Sequence, residues 1–273
     1  MTMAKITLTN GKIVYKPHNK SWIVLVVIGG LTVLFAYLVS LDSIGIQFHP
    51  EELPVILKKL FSPHRGEDWG DYFAYILKLQ NVMVTTLQMC YGGTVIGALF
   101  AVPFSLLSSK NIVKTKWIYT PFRFLLNLFR TIPIPVLAAI CISFVGTGIL
   151  AGLFAIALFT FGIMVKMLYE LIETIDMNIV EALESTGANK LQAIRYAVFP
   201  QVFPDYVGYA IYILETNIRS SAILSYVGIS SIGTVMKDSE MTDYDKVGGA
   251  IILIFIICVI IQLFSDVVRR KLA

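Results

Sequence analysis

An all-α integral membrane protein is predicted from three observations. Of the 273 residues, 56% are hydrophobic and only 15% are charged, against about 25% charged in soluble domains. Mean hydropathy is +0.75. The charged residues gather in short segments between long charge-free runs, and those runs are of membrane-spanning length. The formal net charge of +4 matters less than its placement, because positive residues collect on the cytoplasmic side of a membrane protein. The spacing predicts about six transmembrane helices with the N- and C-termini cytoplasmic, in a lipid bilayer.

Residues 1–21 carry Lys5, Lys12, Lys16 and Lys20 and no acid, which predicts a cytoplasmic N-terminal tail. Residues 22–41 follow without a charge, matching the roughly 20 residues of a spanning helix. A signal peptide is the competing reading of a basic head and an apolar run. The run is long and no small-x-small site follows it, which favours an uncleaved span. Residues 42–75 hold Glu51, Glu52, Glu67, Asp68 and Asp71 against Lys58, Lys59 and Arg65, so residues 22–75 read as a first span and an extracytoplasmic loop. Within that loop, residues 50–61 place Leu53, Ile56, Leu57 and Leu60 on one helical face. That pattern fits an interfacial helix or a short capping helix equally.

Residues 76–273 form the core membrane domain. Residues 79–109 are too long for one hydrocarbon thickness once Lys110, Lys114 and Lys116 are set inside, so this helix starts outside the bilayer. Gly93 and Gly97 give it a small-xxx-small face for close helix packing. From 117 to 165 the only charges are Arg123 and Arg130. Gly146-Thr147-Gly148 divides this stretch into a span near 120–145 and another near 149–169. Pro133 and Pro135 are expected to kink or interrupt the first. Residues 205–227 make a fifth span, 228–246 an outer loop, and 247–265 the last span, closed inside by Arg269, Arg270 and Lys271.

Several chemistries are excluded. There is no G-x-x-x-x-G-K-[ST] stretch, so the chain is not the ATP-hydrolysing part of anything. No Ser/His/Asp, Cys/His or H-E-x-x-H arrangement occurs, and His18, His49 and His64 are scattered. Cys90, Cys141 and Cys258 lie in apolar runs without metal-ligand spacing and read as free thiols. Nothing points to nucleic acid.

Two constellations remain. The first is the longest polar interruption in the second half of the chain, a loop over 170–205. It reads as a helix ending at Thr186, a turn at Gly187, a second helix over 189–198 and a stop at Pro200. Glu181 stands early in the loop, placed to hold a cap or a basic group on a partner. Ala182, Ala188 and Ala193 with Leu183, Leu191 and Ile194 suit a groove on another protein; a solvated loop packing only on its own bundle is the alternative. The second constellation is buried charge. Arg219 lies about thirteen residues into the fifth span, roughly 20 Å deep at 1.5 Å per residue, and Arg130 is comparably deep. Arginine there costs at least about 2.5–3.5 kcal/mol unless it faces the bundle interior or a water-filled cavity. Glu215 shares a helix face with Arg219. The pair is either a structural ion pair or part of an anion pathway, with Asn127, Asn217, Ser220 and Ser221 as hydrogen-bonding neighbours.

Glu181-Ala182, Gly187-Ala188 and Pro200 stand at the spacing of the EAA motif of ABC-importer permeases. More of the chain, roughly 81–272, resembles the phosphonate ABC transporter permease family (PhnE-like), with its type I, MetI-like helix bundle. The likeness is carried by Phe129-Arg130-Thr131-Ile132-Pro133, by Glu181 to Ala188 (EALESTGA), by Arg195 to Gln201 (RYAVFPQ), by Glu215 to Ser221 (ETNIRSS) and by Val227 to Gly233 (VGISSIG). Ala197 and Phe199 replace an aliphatic pair usual before the proline, and Ser230-Ser231 stand where small glycines are common. The resemblance implies a non-catalytic permease subunit that binds no cofactor itself, with ATP and Mg entering through partner ABC ATPase subunits. Glu181, Ala182, Leu183, Thr186, Gly187, Ala188, Leu191, Arg195 and Pro200 would dock the ATPase. Arg130, Asn127, Glu215, Asn217, Arg219, Ser220 and Ser221 would line the substrate path. An extracytoplasmic solute-binding protein and a second permease chain, identical or related, complete the expected assembly. Phosphonate or a related phosphorus oxyanion is the implied cargo. Another small solute, a non-transporting interaction protein, and a channel or secondary transporter are the other readings.

Overall fold

The computed structural model describes residues 4–7, 13–16, 21–38, 51–63, 68–239 and 243–272. Lys12, Lys20, Asp42, His49, Arg65, Glu67 and Glu240 lie outside the described residues. The chain divides into two compact units, Met1–Pro54 and Val55–Ala273. In the first, β1 (Ala4–Thr7) and β2 (Ile13–Lys16) form an antiparallel hairpin with Ala4 opposite Lys16 and Thr7 opposite Ile13. Only a tail was expected here, but Ile6, Thr7, Ile13, Val14 and Tyr15 are residues that favour strands. Helix α1 (Ser21–Leu38) follows.

Helix α2 (Glu52–Leu60) runs across the division between the units. In the second unit, α3 (Trp69–Lys78) and α4 (Gln80–Ser108) form one apolar run of 40 residues. Helix α5 (Lys116–Thr131) and α6 (Ile134–Val145) are followed by α7 (Ile149–Ile172). Then come α8 (Met177–Ser185), α9 (Lys190–Ala193), a π-turn (Ile194–Val198) and α10 (Phe199–Leu224). A 3₁₀ turn (Ser225–Val227), α11 (Ile232–Ser239) and α12 (Tyr244–Leu272) complete the chain.

Among the described residues, three helices are long and apolar enough to span a membrane: the α3–α4 run, α7 and the Tyr244–Val268 part of α12. A fourth is reached if α5 and α6 count as one span. The two other expected spans, near 22–41 and 205–227, are present as helices α1 and α10. Helix α1 carries no charge over its 18 residues, while α10 carries Asp205, Glu215 and Arg219 within its apolar run. The interruption expected at Pro133 in the 120–145 stretch is present: α5 and α6 meet at 94°. Pro133 is extended at φ −62°, ψ 145°, and Ile132 before it is extended too, as the residue before a proline prefers. Between α6 and α7, Gly146 and Gly148 take φ of 84° and 144°, as their place in the divide required.

Helices α4 and α7 form the closest pair. A Cβ on Gly93 would lie 2.8 Å from Ile156, and one on Gly97 would lie 2.4 Å from the Ala157 carbonyl. The small-xxx-small face of α4 therefore brings two backbones into contact. The pair is surrounded by two apolar clusters stacked along the bundle. One gathers Met83, Met89, Ile156, Ile218 and Leu224; the other gathers Ala101, Met164, Leu168, Val198 and Ile213. On α4, α7 and α10 the change from one cluster to the other falls at Thr94, Thr160 and Asn217 respectively. At the N-terminus of α12, Gly248 would bring a Cβ within 1.6 Å of the Leu60 carbonyl, and Tyr72 donates to the same oxygen at 3.2 Å. The C-terminal end of α2 thus caps the bundle.

Candidate functional site

The first candidate site is the projection between α7 and α10. Asp176 caps α8, its side chain accepting from Asn178 N at 2.9 Å. At the other end the Gly187 N–H donates to the Glu184 carbonyl at 3.0 Å and the Ala188 N–H to the Leu183 carbonyl at 3.4 Å. This is the Schellman pattern, with Gly187 in the left-handed region at φ 92°. Thr186 closes the helix as its C-cap and donates through Oγ1 to the Leu183 carbonyl at 2.8 Å. Asn189 and Gln192 then make a reciprocal capping box, with bonds of 2.9 and 2.8 Å. The N–H groups of Thr186, Gly187, Ala188, Asn189 and Gln192 all have defined partners, which holds the two short helices at a fixed angle.

Because Asp176 and Asn189 do the capping, the Glu181 carboxylate is free of that duty. Glu181, Ala182, Thr186, Gly187, Leu191, Arg195 and Pro200 are exposed, while Leu183 and Ala188 are half-buried. Leu191 is 78% exposed and Tyr196 64%; Arg195 lies over the Tyr196 ring at 5.6 Å. Glu181, Glu184, Lys114 and Lys190 edge a cavity of about 430 Å³ between the 111–115 segment and the two short helices. On the inner side, Val180, Ala193, Ala197 and Val198 are buried. The projection is therefore anchored on one face and offers an apolar, mixed-charge surface on the other.

Pro200 does not stop the helix. It sits in the first turn of α10, immediately after the π-turn. There its missing N–H costs little, and the widened turn relieves the clash its ring would make with the carbonyl four residues earlier.

The second candidate site lies at mid-length of the bundle. Asn217 is fully buried and its amide donates to Thr94 Oγ1 at 2.9 Å and Thr160 Oγ1 at 2.8 Å. Its backbone carbonyl accepts from the Cys90 thiol at 3.6 Å. Thr94 and Thr160 were missed at the sequence level. Their signal was weak: Thr160 is the one threonine or serine of α7, but Thr94 is one of several hydroxyls on α4. Ser221, one turn on, is also buried; it donates to the Ile218 carbonyl at 2.7 Å, and its carbonyl accepts from Ser231 Oγ at 2.9 Å.

Arg219 projects differently. Two residues are roughly 200° around a helix, so Glu215 and Arg219 lie across α10 from Asn217 and Ser221. Arg219 pairs with Glu215 at 2.6 Å, its side chain 56% exposed and that of Glu215 12%. Asn217 and Ser221 are thus packing residues rather than neighbours of the arginine, a correction to the expected grouping; Ser220 is half-buried between the two faces. Arg130 is exposed in the last turn of α5 and Asn127 is half-buried. A Cβ on Gly162 would sit 3.4 Å from Arg130 N, and Gly162 is near the middle of α7. Both arginines therefore sit at central depth, as their positions in the sequence predicted.

The description "Binding-protein-dependent transport system inner membrane component" names a family that matches residues 81–273. The phosphite transport system permease protein PtxC of Stutzerimonas stutzeri is 31% identical over 204 residues, 74% of this chain and 73% of that protein. The phosphate-import permease protein PhnE of Mycolicibacterium smegmatis is 31% identical over 180 residues, 66% of this chain but 34% of that protein. Among solved structures, an inward-facing MetNI methionine ABC transporter aligns with a TM-score of 0.66 at 22% identity, covering 71% of this chain and 96% of that one. At that identity the likeness speaks for the fold. The family match takes in every element from α4 onward, the Gly187 corner and both arginines included. The chain belongs to the binding-protein-dependent transport system inner membrane components, as a multi-pass permease subunit of an ABC importer.

Proposed function

We propose that this permease carries a phosphorus oxyanion (phosphite, phosphonate or phosphate) into the cell, driven by a separate ATPase that docks on the Gly187 corner. The observation that carries the reading is the form of the projection. Two short helices are locked at both caps and buried on one face, yet they leave Leu191 and Tyr196 exposed. An exposed apolar face on a rigid corner suits a groove on another protein. ATP and Mg would be held by that partner. The corner and both chain termini would then be cytoplasmic, and a binding protein would deliver solute to the opposite end. A second permease chain would complete the path.

The relatives named for phosphite and phosphate transport favour the oxyanion class. So does Arg219, whose planar guanidinium matches phosphorus oxyanions and is more than half exposed at central depth. Closure of the ATPases on nucleotide would move the corner and bias the bundle between inward-open and outward-open states.

The test is a mild-detergent pull-down of the tagged chain beside Gly187→Asp and Glu181→Lys. Gly187→Asp puts a side chain at φ 92° and a charge on the docking face. A P-loop ATPase that accompanies the native chain and is lost from the variants supports the reading; its absence from the native chain overturns it. Uptake of phosphite, phosphate, methylphosphonate and an amino acid with the cognate binding protein then decides the solute.

A further inference from the structure

Glu173 caps the end of α7, and its carboxylate holds the segment between α4 and α5. Oε1 accepts the Lys110 backbone N–H at 2.9 Å and also the Arg123 guanidinium. Arg123 Nε donates to the Ser108 carbonyl at 2.7 Å, and the guanidinium lies over the Tyr169 ring at 4.4 Å and the Tyr119 ring at 5.3 Å. Asn111 adds a bond to the Ile172 carbonyl at 3.1 Å. The side chains of Arg123 and Glu173 are 17% and 22% exposed, so this is a largely enclosed ion pair. Three residues on, the Asp176 N–H donates to Gln201 Oε1 at 3.1 Å, and Gln201 Nε2 donates to the Ala197 carbonyl at 2.8 Å. The root of the projection is therefore bound to α5 by Arg123 and to α10 by Gln201.

Helix α5 runs antiparallel along α7 from that root. Arg123 meets Tyr169, and Arg130, two turns later, meets Gly162 at mid-bundle. Seven residues of helix span roughly 10 Å as one stiff segment. We propose that Arg123 and Glu173 are positioning residues that make α5 follow the projection, so that Arg130 moves in the solute path when the Gly187 corner moves. The inference rests on the reading of that corner as the ATPase-docking lever. A purely structural role for the pair, as a cation at the C-terminus of α7, would affect melting but not coupling.

The test uses the complete transporter in proteoliposomes, with Arg123→Glu, Glu173→Arg, the double reversal, and Glu173→Gln as the mildest variant. ATPase content, ATP hydrolysis, melting temperature and solute moved per ATP are measured, with phosphite, phosphate and methylphosphonate as solutes. The single variants are expected to retain the ATPase while solute moved per ATP falls roughly threefold to thirtyfold, the range of coupling changes produced by mutations away from either ligand. The double reversal restores the charge pair but not the bonds to the Lys110 N–H and the Ser108 carbonyl, so it is expected to recover part of the loss. Native coupling in Glu173→Gln and in the assembled single variants overturns the proposal. So does a double reversal that melts as the native protein does yet stays uncoupled. An ATPase that never accompanies the native chain fails the docking reading itself, a result distinct from both.

Discussion

The Asn217 amide donates to the Thr160 hydroxyl at 2.8 Å, joining α10 to α7 where the two apolar clusters meet. With the second bond to Thr94, one side chain fixes the register of three helices. Removing it by Asn217→Ala leaves two enclosed hydroxyls short of a donor and opens space between the helices. A loss of about 1–3 kcal/mol is expected, read as a lower melting temperature of the detergent-solubilised chain. Asn217→Asp retains the shape but places a charge or an unmatched proton there, and is expected to be at least as damaging.

Glycines on the bundle differ sharply in what they tolerate. A Cβ at Gly97 would lie 2.4 Å from the Ala157 carbonyl, whereas nothing lies within 4 Å of one at Gly208. Gly97→Ala is expected to cost about 1–3 kcal/mol through separation of α4 from α7. Gly208→Ala is expected to gain about 0.5–1 kcal/mol from helix propensity. Parallel thermal melts of the two variants check the pair.

Asn189→Ala removes one half of the capping box that starts the second short helix. The expected cost is about 1 kcal/mol, confined to the corner. Faster proteolytic nicking near residues 186–192 should accompany an unchanged global melting temperature, and ATPase retention in the pull-down should weaken. Asn189→Asp can cap in the same way and should behave as native.

Arg219→Gln separates the two roles open to the Glu215 pair. The arginine end of the pair is exposed while Glu215 is largely enclosed, and glutamine can still donate to that carboxylate, so only a modest fall in melting temperature is expected. A lost charge-assisted contact to an oxyanion is worth on the order of tenfold, read as oxyanion uptake in cells carrying the whole system. Unaltered uptake would leave the arginine with a packing role only.

Much of this was legible from sequence where a single residue dictates the backbone. Gly187, Gly146 and Gly148 marked chain reversals because their positions demand positive φ, and Gly93 with Gly97 announced a close helix contact. Depth was legible for Arg219, since counting along α10 places it near the buried Asn217, whereas Arg130 ends its helix and reaches mid-bundle through its approach to Gly162. The sense of Pro200 was not, because whether a proline ends a helix or begins one depends on the width of the turn before it. Nor was the division of α10 into a packed face and an open one. Asn217 and Arg219 are equally polar, and only the threonines on α4 and α7, distant in sequence, assign them to opposite sides. The Arg123–Glu173 pair lies fifty residues apart in the chain and had no local sign at all.

The π-turn at Ile194–Val198 has a consequence for how the chain tolerates length change. Such a turn houses one residue more than the regular ladder needs, and each residue is about 100° of rotation. Deleting one residue there would restore an unbroken helix but rotate Leu191 and the Gly187 corner by about that angle against α10. The chain would still fold as a bundle, with its outward projection aimed at the wrong neighbour. Insertions and deletions between 194 and 198 should therefore be far less acceptable to the working transporter than to the folded chain, a separation that a length-scanning library scored for both expression and uptake would expose.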